Sequence, residues 1–241
     1  MSKIWFFGDS YAAPKHTEKS WTINVQEAFP EYDNENLAVI GSSLDYLYHT
    51  YEQNRKRFNT GDIVIMSLTT ITRLFLRNRT SNGGPRFLLL SKILSPLSGS
   101  KEILEEDHEY YDYYASDLFN PETHTSKANL FLNSLQYDAM TKGIKIIALP
   151  ITYNFPRIDY EDKNNITLVK TTDKYSLIGI TNMQYNKKFN VKKWQEHSEA
   201  ISYDNLQANH LSPENNLVLA NKVIRHIKTN EPIDLTTDWI I

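Results

Sequence analysis

Apolar residues in this chain gather in short unbroken runs separated by longer stretches of mixed polarity. Residues 3–7 ("KIWFF"), 36–40 ("NLAVI"), 62–68 ("DIVIMSL") and 145–151 ("KIIALPI") are rich in Ile and Val and do not alternate strictly with polar residues. Such continuous apolarity suits strands covered on both faces, as in a parallel sheet. Residues 175–181 ("YSLIGIT") are a weaker fifth strand candidate. Helical spacing fills the intervals. Leu44, Leu47, Tyr48, Tyr51 and Phe58 recur from Ser43 onward and should stop before Gly61. Ser126 is expected to cap a second helix with Leu130, Phe131 and Leu135 inward and Gly143 at its C-terminal stop. Ser212-Pro213-Glu214 is a start signal for a last helix, with Leu217, Ala220, Ile224 and Ile227 on one face.

Strands alternating with helices imply right-handed crossovers and a three-layer α/β/α sandwich around a mostly parallel sheet. Short strand-to-helix connections then collect at the carboxyl edge of the sheet, where folds of this kind bind ligands. One interval breaks the alternation. Residues 77–124 contain Asn82-Gly83-Gly84-Pro85, an apolar patch at 87–90 and the tract "EEDHEYYDYYASDLF". This is too long for a plain connector and is expected to be an insertion or lid with helices of its own. Tyr110, Tyr111, Tyr113 and Tyr114 either stack on sugar rings or pack the insertion onto the domain, and packing is the favoured reading.

With 241 residues the chain fits one domain, and its formal net charge of −3 argues against a nucleic-acid partner. Arg55-Lys56-Arg57 reads as the solvated end of a helix. The absence of cysteine removes disulfides, thiolate catalysis and cysteine-ligated zinc from consideration. The first apolar run is too short for a secretory signal, and no segment has the length of a membrane span, so a cytoplasmic protein is expected, or a virion-associated one if phage-encoded. No His-x-x-x-His pair, phosphate loop or dinucleotide fingerprint is present, so neither a metal nor a cofactor is expected. The closing Trp239, Ile240 and Ile241 should be buried against the domain or a second subunit.

The chemistry centres on "FFGDSY" at residues 6–11. A serine hydroxyl beyond a buried strand becomes a nucleophile only with a base in reach. Of seven histidines, His210 in "DNLQANHLSPENN" has a predictable location, just before the last helix and at the same sheet edge.

These blocks together resemble the SGNH or GDSL hydrolase superfamily. Gly8-Asp9-Ser10 is similar to its first block, Gly41 in "NLAVIGSS" to the glycine of its second, and His210 before "LSPE" to the histidine of its last. Ser20-Trp21 resembles the stretch that follows the first block. The ending "NHLSPENN", with few glycines overall, is also similar to SGNH-like proteins of tailed phages. The resemblance implies a flavodoxin-like sheet and an esterase or deacetylase acting on an O-acyl group, with a carbohydrate as a candidate carrier. It makes Ser10 the nucleophile and His210 the base, and it assigns the backbone N–H groups of Ser10 and Gly41 to an oxyanion hole. Asp9 and Arg73 are expected on the substrate side. The sequence departs from the family at two places. Where the third block has asparagine, this chain reads "MSLTTITR", leaving the hydroxyl of Thr69 or Thr70 as the donor. Where the acid stands three residues before the histidine, it has Gln207, and Asp204 is the nearest carboxylate. A catalytically degenerate member that binds a glycan or protein partner, and an acyl transferase, are the competing expectations.

Overall fold

The computed structural model describes residues 1–13, 20–69, 73–76, 86–89, 120–152, 165–172, 174–189 and 210–241. Strands β1 (Lys3–Phe7), β2 (Asp33–Asn36), β3 (Ile63–Leu68), β6 (Lys145–Pro150) and β7 (Ile166–Leu168) form a five-stranded sheet in the order β2-β1-β3-β6-β7. Every pairing in it is parallel. Read within the sheet alone this is the 2-1-3-4-5 order of doubly wound, flavodoxin-like folds. Strands β4 (Arg73–Leu76) and β5 (Arg86–Leu89) pair antiparallel in a separate two-stranded ribbon.

Side chains of the central strands alternate between two apolar cores. Ile4, Phe6, Ile63, Ile65, Ile147 and Leu149 face one side, with residues of α1 (Trp21–Ala28), α4 (Leu177–Phe189) and α5 (Pro213–Thr229). Trp5, Phe7, Val64, Met66, Ile146 and Ala148 face the other, with α2 (Leu44–Asn54) and α3 (Pro121–Lys142). Both faces are covered, which is why these runs lack an apolar-polar alternation. The three-layer α/β/α reading is thus what the chain adopts.

Several local expectations change. The second strand is the polar segment 33–36, not 36–40. As an edge strand paired only to β1 it tolerates charge, and Glu35 is held by Lys3 at 2.9 Å and Arg57 at 2.7 Å. The apolar residues that follow extend the pairing irregularly, with Leu37 N–H on the Phe6 carbonyl at 2.8 Å and Val39 N–H on that of Gly8 at 2.9 Å. Residues 175–181 begin a helix. Leu177, Ile180 and Thr181 are its buried positions, a helical spacing that a short apolar run conceals, and Ser176 Oγ accepts the Gly179 N–H at 3.1 Å. The fifth strand is instead β7.

Helix α3 starts earlier than Ser126. Asn120 caps it through Oδ1, which accepts the N–H groups of Glu122 and Thr123 at 2.8 and 3.2 Å. Gly143 ends it in the left-handed region, as expected. Leu130 points to solvent, as does Leu217 on α5, whereas the half-exposed Tyr48 on α2 packs its ring edge to face on Phe131. On α5 the buried positions are Asn215, Asn216, Leu219, Ala220, Val223 and His226, so the inner face carries two amides that a hydrophobic pattern does not count. The basic triplet is not simply solvated either. Arg55 pairs with Asp138 at 2.8 Å, and Arg57 lies over the Trp5 ring, 4.8 Å from its centroid.

Most of the interval 77–124, including the four clustered tyrosines, lies outside the described residues. Its described parts are β5 and the first residues of α3. In the C-terminal tail Trp239 packs on the core, whereas the Ile240 side chain is exposed.

Candidate active site at the carboxyl edge

The loop after β1 turns at once. Ala12 and Ala13 both donate to the Asp9 carbonyl at 3.0 Å, and Asp9 Oδ1 accepts the Tyr11 N–H at 3.0 Å. The capping task therefore falls to the Asp9 carboxylate rather than to the Ser10 hydroxyl. Asp9 itself is fully buried beneath the turn, with Ser67 Oγ a further 3.4 Å contact. Gly8 is required at the bend. Its φ is 145°, and a Cβ there would collide with the Ser67 side chain on β3.

The Gly8 carbonyl also organises the second loop, because it accepts the Val39 N–H and the Ser42 hydroxyl, each at 2.9 Å. Gly41 lies in this loop with φ 76°, a conformation that favours glycine. Thr69 follows β3, the strand next to β1, and is fully buried. Its Oγ1 has no hydrogen-bond partner among the described residues.

His210 is buried in the loop entering α5, with its ring 5.3 Å from that of Tyr11, centroid to centroid. Ser10 and His210 line one small cleft, partly open to solvent, together with Tyr11, Ala13, Ser20, Leu211 and Asn216. The two ends of the chain thus contribute to a single concavity at the sheet edge.

A web of neutral hydrogen bonds surrounds the cleft. Gln184 of α4 accepts from the Ser212 N–H at 2.9 Å and from Asn215 Nδ2 at 2.8 Å, and its Nε2 donates to the His210 carbonyl at 3.4 Å. Asn216 Nδ2 donates to the Leu211 carbonyl at 2.8 Å, while its Oδ1 accepts the Trp21 N–H at 3.1 Å. Trp21 Nε1 in turn donates to the Tyr11 carbonyl at 2.6 Å. The Tyr11 hydroxyl meets Thr181 Oγ1 at 3.1 Å. Sequence reading missed Gln184, Asn215 and Asn216. The available signal was an Asn-Asn pair in the first turn of a helix, where side-chain amides readily bond nearby backbone.

Of the other sequence candidates, Thr70 and Asp204 lie outside the described residues, and Arg73 is described only as a backbone position at the start of β4. Gly41 is not among the cleft-lining residues; its loop reaches the Ser10 loop through Gly8.

Fold and cleft together define the class: a parallel three-layer α/β protein with a serine after its first strand and a histidine before its last helix in one carboxyl-edge cleft. A solved structure of protein YxiM from Bacillus subtilis aligns with 90% of this chain and 49% of its own, at 12% identity and a TM-score of 0.36, so this chain spans about half the length of that one. No protein-family model matches the chain, and no curated protein matches it. Among the described residues, no helix is long and apolar enough to cross a membrane.

Proposed function

We propose that the chain is a serine esterase or deacetylase of the SGNH type, hydrolysing a short O-acyl ester such as one carried by a carbohydrate. The observation that carries this reading is that Ser10 and His210 line the same cleft. In the proposed reaction Ser10 Oγ attacks the ester carbonyl while His210 takes its proton, then returns it to the departing alcohol. A water molecule, deprotonated by His210, releases the acid and regenerates Ser10. Asp204 is the carboxylate proposed to orient the imidazole, Thr70 is the alternative to Thr69 as the hydroxyl donor to the oxyanion, and Arg73 is proposed on the substrate side.

The oxyanion would be met by the N–H groups of Ser10 and Gly41 and by the Thr69 hydroxyl. Among the described residues that hydroxyl has no partner, and a charge developing on the carbonyl oxygen would accept its hydrogen bond. The test is hydrolysis of a short-chain aryl ester by wild type and Ser10→Ala. Turnover by wild type alone is expected; equal background rates for the two overturn the reading.

A second reading, a catalytically degenerate relative that binds a glycan or a protein, is favoured by Thr69 or Thr70 standing where the family has asparagine, together with Gln207 where it has the acid. A fluorophosphonate probe separates the two, because stoichiometric modification at Ser10 removes the binding-only alternative. Transfer to an acceptor alcohol uses the same two side chains, and product analysis with a competing alcohol distinguishes it from hydrolysis.

A further inference from the structure

Ser10 and His210 belong to loops at opposite ends of the chain, and among the described residues no strand pairing joins those loops. Side chains connect them instead. The path is short and continuous. From the histidine loop, the Leu211 carbonyl accepts from Asn216 Nδ2 at 2.8 Å, and the Ser212 carbonyl accepts from the same nitrogen at 3.1 Å. From Asn216 Oδ1, the next bond is to the Trp21 N–H at the start of α1, at 3.1 Å. From Trp21, the indole N–H reaches the Tyr11 carbonyl, adjacent to Ser10, at 2.6 Å.

Trp21 is fully buried and Asn216 is 4% exposed, so water does not compete for these bonds. The side-chain amide of Asn216 is used at both ends, its nitrogen on the histidine loop and its oxygen on the helix that holds the serine loop. Its position in the first turn of α5 is itself defined, because its own N–H donates to the Ser212 carbonyl at 2.8 Å.

We infer that Asn216 and Trp21 are positioning residues for the Ser10–His210 pair, a brace that holds the hydroxyl and the imidazole loops at one separation. The inference rests on the reading of Ser10 as nucleophile. Reaction at a hydroxyl requires its base within hydrogen-bond reach, and a displacement of about 1 Å costs on the order of a hundredfold in rate. Loosening the brace should therefore reduce the rate of bond formation at Ser10 more than the binding of substrate.

The experiment measures the second-order rate of fluorophosphonate labelling at Ser10, together with kcat and KM on a short-chain aryl ester. Wild type, Asn216→Ala and Trp21→Phe are compared at equal folded fraction. Trp21→Phe removes the indole donor while keeping a smaller aromatic ring and the backbone N–H that meets Asn216, so it decides the question should Asn216→Ala fail to fold. Labelling and kcat are expected to fall about ten- to a hundredfold in Asn216→Ala and by a smaller factor in Trp21→Phe, with KM within about twofold of wild type. Wild-type labelling rates in the folded variants, or a rise in KM at unchanged kcat, overturn the brace while leaving the esterase reading intact. A wild-type protein that does not label at Ser10 overturns the esterase reading, and the brace falls with it.

Discussion

The two faces of the central sheet are held by different kinds of interaction. On the face covered by α2 and α3, aromatic rings pack edge to face, Trp5 on Phe58 at 5.1 Å and Phe7 on Tyr51 at 5.9 Å. Into this apolar layer buried carboxylates are set, Asp62 accepting the Trp5 indole N–H at 2.9 Å and Asp138 lying between two helices. Asp138 of α3 accepts two bonds from the Arg55 guanidinium, each at 2.8 Å, and one from the Tyr51 hydroxyl at 2.7 Å. Burial, followed by the hydrogen bond to Asp138, pushes the Tyr51 hydroxyl far above its ordinary value, so Tyr51 remains a donor at every relevant pH. The opposite face has an aromatic pair of its own, Phe6 on Trp21 at 5.9 Å, but near the cleft its buried polar groups are chiefly neutral amides and hydroxyls, and their bonds tie loop backbone to helices and one helix start to another. An ion cluster joins two rigid elements side by side, whereas an amide network fixes irregular backbone. The candidate active site lies where the network is.

That contrast can be broken most sharply with a pair of substitutions. Ser10→Ala is expected to lower ester turnover by about four orders of magnitude or more while leaving the thermal midpoint within a degree or so of wild type. Asp138→Ala is expected to do the reverse. It leaves the Tyr51 hydroxyl buried without its acceptor and Arg55 with Glu52 as its remaining anion, at a cost of about 2 to 3 kcal/mol read from denaturant unfolding. Turnover per folded molecule should hardly change. A fall in activity that tracks the loss of stability in both variants would erase the distinction between the faces.

Smaller effects sharpen it. Thr69→Val replaces a buried hydroxyl that has no partner among the described residues with a methyl group, and kcat should fall about a hundredfold with stability unchanged or raised. Gly8→Ala forces a side chain into the Ser67 contact at a positive φ and should cost about 1 to 3 kcal/mol, with slower labelling of Ser10 because the turn itself shifts.

The weakest expected effect is on pH dependence. Burial first, then the nearby Lys127, lowers the His124 pKa from its ordinary value of 6.5, with Asp45 acting in the opposite sense. The unfolded chain then binds a proton that the folded one refuses. Stability from this group is full above about pH 6.5 and declines as pH falls toward the folded pKa. His124→Gln should flatten that part of the stability-pH curve, as measured by urea unfolding between pH 5 and pH 8.

Much of this arrangement was readable before any coordinates. The runs at 3–7, 62–68 and 145–151 are strands because only a doubly covered sheet accommodates unbroken Ile- and Val-rich stretches. Ser212-Pro213 starts α5, and Gly143 stops α3, through chemistry confined to a few neighbouring residues. The errors share a cause. Residues 33–36 carry no apolar signal, yet they form the edge strand because β1 offers a partner. Residues 175–181 are as apolar as a strand, yet they form a helix because Leu177, Ile180 and Thr181 meet the core at helical spacing. Leu130 and Leu217 are apolar but face outward, while Asn215 and Asn216 are polar and face inward. A pattern of hydrophobicity registers what a side chain prefers and not which partner awaits it.

For the site, the positions of Ser10 after the first strand and of His210 before the last helix sufficed to propose that they meet at one edge of a fold with a single carboxyl rim, whereas Gly41 was proposed from the family resemblance. Local chemistry determined the strands, the caps and the identity of the candidate reactive groups. The tertiary structure alone decided that Ser10 and His210 share a cleft, that Asp9 serves the turn, and that Asn216 and Trp21 span the gap between the two loops. Those outcomes depend on contacts between residues remote in sequence, where hydrogen-bond geometry and exclusion of water are properties of the folded chain and leave no local trace.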